Sequence, residues 1–349
     1  MENFSKDNIP PQAKILIIKL RSIGDVVCNT AVYSPLKRCF PHAHLAVVVE
    51  AASYDLVRDH PDVDEVVCFE KGSLWKQITF YMRQFLKRYD VVIDMHGGPR
   101  GALMCFLTGA RIRIGNASVR RSFLYNVRLS LKGLPRKHPI DFQVGLLKKI
   151  GVVFDREPAP AIHISPENRE HAAGILAEHD IGTVDKFCII HPGARLTDQW
   201  QPEKFAHLAD YFHSAMGLKV VFTCGPGQEE QVERVMSLVQ HARPVFFVTG
   251  LQKLAAITEK AQFVLCHNGG YMHLTAALGT PVVALFSWSR PDIWKPPVDH
   301  AAALYSNLEC HPCTSKTIKP ECTHGVPECK GQITEQDVLR EIDQLLGHK

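Results

Sequence analysis

The chain alternates short, almost continuous apolar runs with longer stretches in which apolar positions recur at helical spacing. Lys14-Ile15-Leu16-Ile17-Ile18-Lys19-Leu20 is such a run, of the type buried on both faces of a parallel sheet. A glycine turn follows, then a helical pattern over Val26 to Cys39, stopped by Pro41. Leu45 to Val49 reads as a second strand, Ser53 to Arg58 as a short helix and Val66 to Phe69 as a third strand. Leu74 to Arg88 is a basic amphipathic helix, and Val91 to Asp94 a fourth strand. This alternation predicts an α/β protein with a doubly wound, mostly parallel sheet.

The pattern weakens at Asp155-Arg156-Glu157-Pro158-Ala159-Pro160, which reads as a linker, and then restarts. Ser165 to His179 is a helix with Ser165 as N-cap and Pro166 at its first position. Phe187 to Ile190, Lys219 to Thr223, Phe246 to Val248, Phe263 to Cys266 and Val282 to Phe286 read as strands, with helices between them. Thr334 to Leu346 is a terminal helix with Thr334 as N-cap and Asp337 at its third position. The chain of 349 residues therefore holds two Rossmann-like domains. In open α/β sheets ligands bind at the carboxyl ends of strands, so chemistry is expected in the segments that follow them.

Five such segments stand out. After the first strand comes Ser22-Ile23-Gly24-Asp25, where Gly24 admits close backbone approach and Asp25 enters a helix start that favours its charged form. A carboxylate there suits a general base, and a plain helix-capping aspartate is the alternative. No G-x-G-x-x-G is present, which argues against a dinucleotide-dependent dehydrogenase. His191-Pro192-Gly193-Ala194-Arg195 follows Ile190, and Arg195 suits bidentate phosphate binding or simple solvation. In Cys224-Gly225-Pro226-Gly227-Gln228-Glu229-Glu230 the glycines clear space, and Glu229 either accepts from a ribose hydroxyl or charges a first helical turn. In Asn268-Gly269-Gly270-Tyr271-Met272-His273 two glycines enter a helix N-terminus directly after a strand, an anion site suited to a diphosphate. Last, Cys310-His311-Pro312-Cys313 with Cys322 and Cys329 offers four thiols for a structural zinc, or a reduced, metal-free loop.

Charge changes this picture locally rather than globally. The formal net charge is +4, with 22% charged and 46% hydrophobic residues, which suits globular domains and not a nucleic-acid binder. Between Met95 and Ile140, however, nine cations (Arg100, Arg111, Arg113, Arg120, Arg121, Arg128, Lys132, Arg136, Lys137) occur without an acid, which predicts an anionic partner for the first half. Just upstream, Trp75, Ile78, Tyr81, Met82 and Phe85 alternate with Lys76, Arg83, Lys87 and Arg88. That pattern suits an acidic membrane surface, and packing of the same stripe on the sheet is the alternative. No apolar run reaches the ~18–20 residues that span a bilayer. Met1 to Asp7 carries two acids and no apolar core, so a cytoplasmic location with reduced thiols is expected. Most of the 11 cysteines, including Cys28, Cys39, Cys68, Cys105, Cys188, Cys224 and Cys266, lie in apolar stretches as small hydrophobes.

Taken together, these segments resemble glycosyltransferase family 9, the ADP-heptose–lipopolysaccharide heptosyltransferases. The pieces that carry the resemblance are Lys19 to Asp25, Asp94-Met95-His96-Gly97, His191 to Arg195 with Trp200-Gln201-Pro202, Gly225-Pro226-Gly227, Met272 to Pro281 and the terminal Cys-x-Pro-Cys. The resemblance implies a GT-B fold, with two Rossmann-like domains whose parallel sheets face a central cleft. It implies an acceptor domain over residues 1–157, a nucleotide-sugar domain over 158–330 and a terminal helix, 331–349, packed back on the first domain. It implies inverting transfer of heptose from ADP-heptose to the inner core of lipopolysaccharide, without metal or other cofactor. By the same likeness Asp25 is the catalytic base. Lys19, Ser22, Gly24, His96, Arg120 and Arg121 meet the acceptor, and Gly193, Ala194, Arg195, Glu229, Asn268, Gly269, Gly270 and His273 meet the donor. The protein is then a monomer at the cytoplasmic face of the inner membrane, with a lipid A–core acceptor.

Two positions depart from the family pattern. Asp198 stands where a lysine usually precedes the tryptophan by two residues, so Arg195 or Lys204 would have to substitute at the diphosphate. Asn268-Gly269-Gly270-Tyr271 stands where Asp-Ser/Thr-Gly-Pro is usual. These departures leave open a same-fold transferase that uses another nucleotide sugar, and an inactive nucleotide-sugar-binding protein.

Overall fold

A computed structural model describes residues 8–130, 138–194, 199–287, 289–311 and 329–347. The chain divides into two compact units, Met1–His163 and Ile164–Lys349. In the first unit the strands are β1 (Lys14–Ile18), β2 (His44–Glu50), β3 (Glu65–Phe69), β4 (Val91–Asp94), β5 (Ile112–Asn116) and β6 (Val127–Leu129). Its helices are α1 (Ile23–Thr30), α2 (Tyr33–Cys39), α3 (Tyr54–Val57), α4 (Leu74–Leu86), α5 (Pro99–Leu107) and α6 (Pro139–Lys148). In the second unit the strands are β7 (Phe187–His191), β8 (Lys219–Phe222), β9 (Val245–Phe246), β10 (Val264–His267), β11 (Val282–Leu285) and β12 (Ala301–Leu304). Its helices are α7 (Pro166–Glu178), α8 (Pro202–Ser214), α9 (Glu229–Met236), α10 (Leu251–Thr258), α11 (Gly270–Ala277), α12 (Pro291–Trp294), α13 (Cys329–Gln332) and α14 (Glu335–Leu346).

Both sheets are parallel throughout, in the orders β3-β2-β1-β4-β5-β6 and β12-β11-β10-β7-β8-β9. Each unit thus builds its sheet outward from its own first strand and then reverses direction across it. The central strands are covered on both faces, which is why Ile15 to Ile18, Val91 to Ile93, Ile189, Ile190 and Val264 to Cys266 are all fully buried.

The helical pattern from Val26 to Cys39 is two helices, broken at Ala31 and Val32. Pro35 explains the break, because its ring would clash with the carbonyl of Ala31 and it has no N–H to donate there. Strands β5, β6 and β12 were not legible as separate strands. They are short, and Arg113 and Arg128 interrupt two of them.

The terminal helix differs from the expectation that it returns to the first domain. Val338 and Ile342 are fully buried in the core of the second unit, with Val283, Leu285 and Ala302, and Leu339, Leu345 and Leu346 pack against the same cluster. The apolar face of α14 covers the face of β11 and β12, which would otherwise be left wet. Thr334 and Asp337 cap it reciprocally, as the sequence predicts.

Close packing at glycine yields a paired prediction. A Cβ on Gly115 would lie 2.3 Å from Cζ of buried Tyr125, whereas one on Gly174, within α7, would meet nothing within 4 Å. Gly115→Ala is expected to cost about 1–3 kcal/mol, and Gly174→Ala to add about 0.5–1 kcal/mol. Urea unfolding of the two variants checks this, and equal effects would refute the packing described.

Candidate active site

In each sheet the strand order reverses between two central neighbours, β1 and β4 in the first, β7 and β10 in the second. The chain leaves those strands in opposite directions, which opens a crevice at their carboxyl ends. The segments after these four strands are Lys19 to Asp25, Met95 to Gly97, Pro192 to Ala194 and Asn268 to Gly270.

In the first unit Ser22 is the N-cap of α1 and Asp25 its third residue. Asp25 Oδ2 accepts from the Ser22 hydroxyl at 3.0 Å and the Ser22 N–H at 3.3 Å. Lys19 Nζ donates to Asp25 Oδ1 at 2.9 Å and to the Met95 carbonyl at 3.1 Å. The Lys19 side chain is 6% exposed and that of Asp25 28% exposed. Burial pushes the Asp25 carboxyl up, but the Lys19 charge and hydrogen bond and the two Ser22 donors outweigh it, and the carboxyl titrates below its ordinary value. Asp25 is therefore both a cap and an ionised, partly open carboxylate. A carboxylate has about four acceptor positions, and three are taken, leaving one on Oδ1.

Asp94, in register with Ile18 on β1, meets the opposite fate. It is fully buried, and its carboxylate accepts from the N–H groups of His96 at 2.9 Å and Gly97 at 3.1 Å and from the Tyr125 hydroxyl at 2.5 Å. Burial dominates those donors and raises its pKa to about 6. A Cβ on Gly101 would lie 2.3 Å from Asp94 Oδ1, and Gly97 has φ of 71°, so both glycines are needed for the loop to close on Asp94. That loop presents His96. Burial, then the charges of Lys19 and Arg21, lower the His96 pKa, so its ring is neutral at pH 7, and its Nδ1 is buried without a hydrogen-bond partner among the described residues.

Gly24 is buried in the first turn of α1, while Arg120 and Arg121 are exposed beyond β5 and form no ion pair among the described residues. The rest of the basic window is less uniform than its composition suggests. Arg111 donates to the Asn8 carbonyl, Arg113 to those of Ala110 and Leu124, and Arg128 to that of Tyr125. Arg100 lies near Glu50 and over the Phe69 ring. Lys132, Arg136 and Lys137 lie outside the described residues.

In the second unit two glutamines shape the loops. Gln228 Oε1 accepts from the Gly225 N–H at 3.1 Å, and Gln231 Oε1 from the Ala194 N–H at 3.0 Å. A Cβ on Gly193 would lie 2.3 Å from Gln228 Oε1, so a larger residue there would displace the Gln228 side chain that holds the Gly225 N–H. A cavity of about 210 Å³ opens beside these loops, lined by Pro192, Trp200, Gly227, Glu230, Gln231 and Arg234 among others. Glu229 is half-buried at the first position of α9. Arg195 and Asp198 lie outside the described residues.

After β10, Gly269 caps α11 in extended conformation, so the first-turn amides of that helix lack i−4 partners within it. Asn268 Nδ2 donates to Ser289 Oγ at 2.6 Å, and His273 is buried at the fourth helical position. The His191 ring lies 4.6 Å from that of Tyr271, whose hydroxyl meets Thr258 Oγ1 at 2.7 Å, so β7, α10 and α11 are locked together. Burial lowers the His191 pKa to about 4, which keeps this contact uncharged.

The pattern of the sequence did not reveal Gln231, Tyr125 or Ser289, whose partners lie across loops or strands, nor Gln228, which closes its own loop on Gly225. Lys204 does not stand free for a phosphate. Its ammonium donates to the carbonyls of Gly331 at 3.1 Å and Ile333 at 2.7 Å and lies over the Trp200 ring, tying α8 to the segment before α14. Cys310 and Cys329 are half-buried, and Cys313 and Cys322 lie outside the described residues.

A family model described as glycosyltransferase family 9 (heptosyltransferase) matches residues 80–324. A lipopolysaccharide core heptosyltransferase of Haemophilus influenzae, OpsX, is 24% identical, with 79% of this chain and 80% of that protein covered. Lipopolysaccharide heptosyltransferase 2 of Escherichia coli is 23% identical over 95% of this chain and 98% of its own length. Among solved structures, a glycosyl transferase family 9 protein from Veillonella parvula superposes with a TM-score of 0.85 at 24% identity, covering 98% of this chain and 100% of that one. The structure of E. coli ADP-heptose LPS heptosyltransferase II does so with a TM-score of 0.79 at 21% identity, covering 95% and 98%. The fold is the expected one.

The Lys19–Asp25 pair predicts a titration. In Lys19→Met, burial is left without its main counterweight, so the Asp25 carboxyl, read by NMR of its side-chain carbon, is expected to titrate above the ordinary aspartate value rather than below it. The sign also fixes stability: the depressed carboxyl contributes stability above its unfolded pKa, and wild type, but not Lys19→Met, loses that part as pH falls through the folded pKa. An unchanged Asp25 titration would show that Lys19 does not set it.

Proposed function

The chain belongs to glycosyltransferase family 9 (heptosyltransferase), and from that premise we propose that it moves a heptose from ADP-heptose to the inner core of lipopolysaccharide, with inversion and without a metal. The observation that carries the mechanism is the Asp25 carboxylate, ionised by Lys19 and left with one open acceptor position at a sheet's reversal point.

Asp25 takes the proton of an acceptor hydroxyl as that oxygen attacks the anomeric carbon. The bond from that carbon to the diphosphate oxygen breaks on the opposite face, and ADP leaves with the electron pair. General-base assistance of this kind contributes ~10²–10⁴-fold. The charge that develops on the diphosphate is met by the first-turn amides of α11, with the dipole of that helix behind them. By its place in the sequence motif Arg195 is assigned to the same diphosphate, and Glu229 to the ribose. Neutral His96 and Ser22 orient the acceptor, and Arg120 and Arg121 meet its phosphates. Lys19 acts chiefly on Asp25, since two of its three donors are already engaged. The names of the similar proteins, which specify lipopolysaccharide and ADP-heptose, support this donor and acceptor. An acceptor anchored in lipid places the enzyme at the cytoplasmic face of the inner membrane. Among the described residues no helix is long and apolar enough to cross it.

Asn268 and Asp198 give the second reading its ground, since both alter the donor side. A panel of ADP-, UDP- and GDP-sugars offered with a lipid A–core acceptor discriminates: transfer from ADP-heptose is expected, and transfer only from a hexose donor would replace it. Asp25→Asn is expected to reduce transfer ~10²–10⁴-fold with ADP binding, measured by calorimetry, unchanged. Wild-type turnover in that variant would remove Asp25 from the mechanism. Full activity in chelator is the expected result for metal independence, and restoration by an added divalent cation would contradict it.

A further inference from the structure

Helix α4 is amphipathic in an unusual sense: its apolar residues fall into two sectors, and one of them is largely exposed. Successive residues turn by about 100° around a helix axis. On that basis Phe80, Gln84 and Tyr81 share one sector. Phe80 sits edge-on to Phe69 at 5.0 Å and to Tyr81 at 5.6 Å, and buried Gln84 accepts from the Tyr89 hydroxyl at 3.1 Å. This sector is the attachment to the sheet. Leu74, Ile78, Met82 and Phe85, with Trp75 and Leu86 at the margin, form the next sector, and all six are exposed: Trp75 by 78%, Leu74 by 72% and Leu86 by 69%. Lys76 and Arg83 form a third sector alongside, and Arg88 follows the helix. None of these three enters an ion pair among the described residues, while Lys87 pairs with Glu65. The helix contains no acidic residue.

The stripe read in the sequence as Trp75, Ile78, Tyr81, Met82 and Phe85 is therefore divided by the fold. Tyr81 belongs to the attachment, Phe85 rests one edge of its ring against Gly109, and Trp75, Ile78 and Met82 are exposed. A row of aromatic and aliphatic side chains beside a row of unpaired cations is what an interfacial helix presents to lipid. The apolar side chains enter the acyl boundary, a tryptophan sits at headgroup level, and the cations meet anionic headgroups. A partner protein would need acids opposite that row, and a second copy of α4 would place the same cations against each other.

We propose that the outer face of α4, built on Leu74, Trp75, Ile78, Met82, Phe85 and Leu86 with Lys76, Arg83 and Arg88, docks this protein on an anionic lipid bilayer. This deepens the functional reading, which puts the acceptor in a membrane, but the contact itself is tested without any transfer. Purified full-length protein is sedimented with phosphatidylcholine vesicles, with or without phosphatidylglycerol. Wild type is expected to pellet with the anionic vesicles and to be released by salt. The variant carrying Leu74→Gln, Trp75→Gln and Leu86→Gln, three exposed sites that contribute little to the core, is expected to bind about tenfold more weakly. Lys76→Glu with Arg83→Glu is expected to lower binding about tenfold or more on anionic vesicles only. Equal binding by wild type and both variants would overturn the proposal. So would a concentration-dependent dimer, seen by analytical ultracentrifugation, that the triple variant abolishes, since a second copy would then own the face. Transfer to a soluble, delipidated acceptor is expected to be unchanged in the triple variant. Loss of that activity with vesicle binding intact would point to the catalytic reading, not to this surface.

Discussion

A parallel sheet that builds outward from its first strand and then reverses leaves a crevice at the carboxyl ends of two neighbours, and this chain makes that arrangement in each of its units. The constraint is geometric before it is chemical. Parallel strands require crossovers, the crossovers put helices on both faces, and where the strand order reverses the connections part and leave the carboxyl ends of the two central neighbours open. Asp25, His96, Gly193 and the start of α11 are where they are because β1, β4, β7 and β10 are the strands beside the reversals.

Within the first crevice two aspartates at the ends of adjacent strands have been driven apart. Asp25 keeps its charge because Lys19 reaches it with a nearly buried ammonium that the Met95 carbonyl also holds. Asp94 has Tyr125 and two main-chain donors but no cation in contact, and burial prevails. Neighbouring carboxylates with separated roles are a common device where one group must take a proton and another must hold a loop. Here Asp94 gives the His96 loop its shape and Asp25 stays ionised and partly exposed.

The second unit uses uncharged groups in the equivalent place. Gln228 and Gln231 hold the loops after β7 and β8, and the His191–Tyr271–Thr258 contacts seat α11. Neutral scaffolding leaves the dipole and first-turn amides of α11 as a local field that favours an anion.

The sequence by itself determined most strands, both reversal-point motifs and the capping of α7 and α14, because these depend on local periodicity and on residues a few positions apart. It also marked Asp25, but as a cap or a base without deciding. Tertiary structure decided that the capping carboxylate also stays ionised and partly exposed, since its partner, Lys19, is itself held by the Met95 carbonyl just after another strand. It decided that Arg111, Arg113 and Arg128 clamp main-chain carbonyls, that Lys204 holds the chain before α14, and that α14 covers the second sheet rather than the first. It also divided the stripe of α4 into an attached face and an exposed one. A helical period shows which residues share a face, but only the position of the sheet shows which face is left to the solvent.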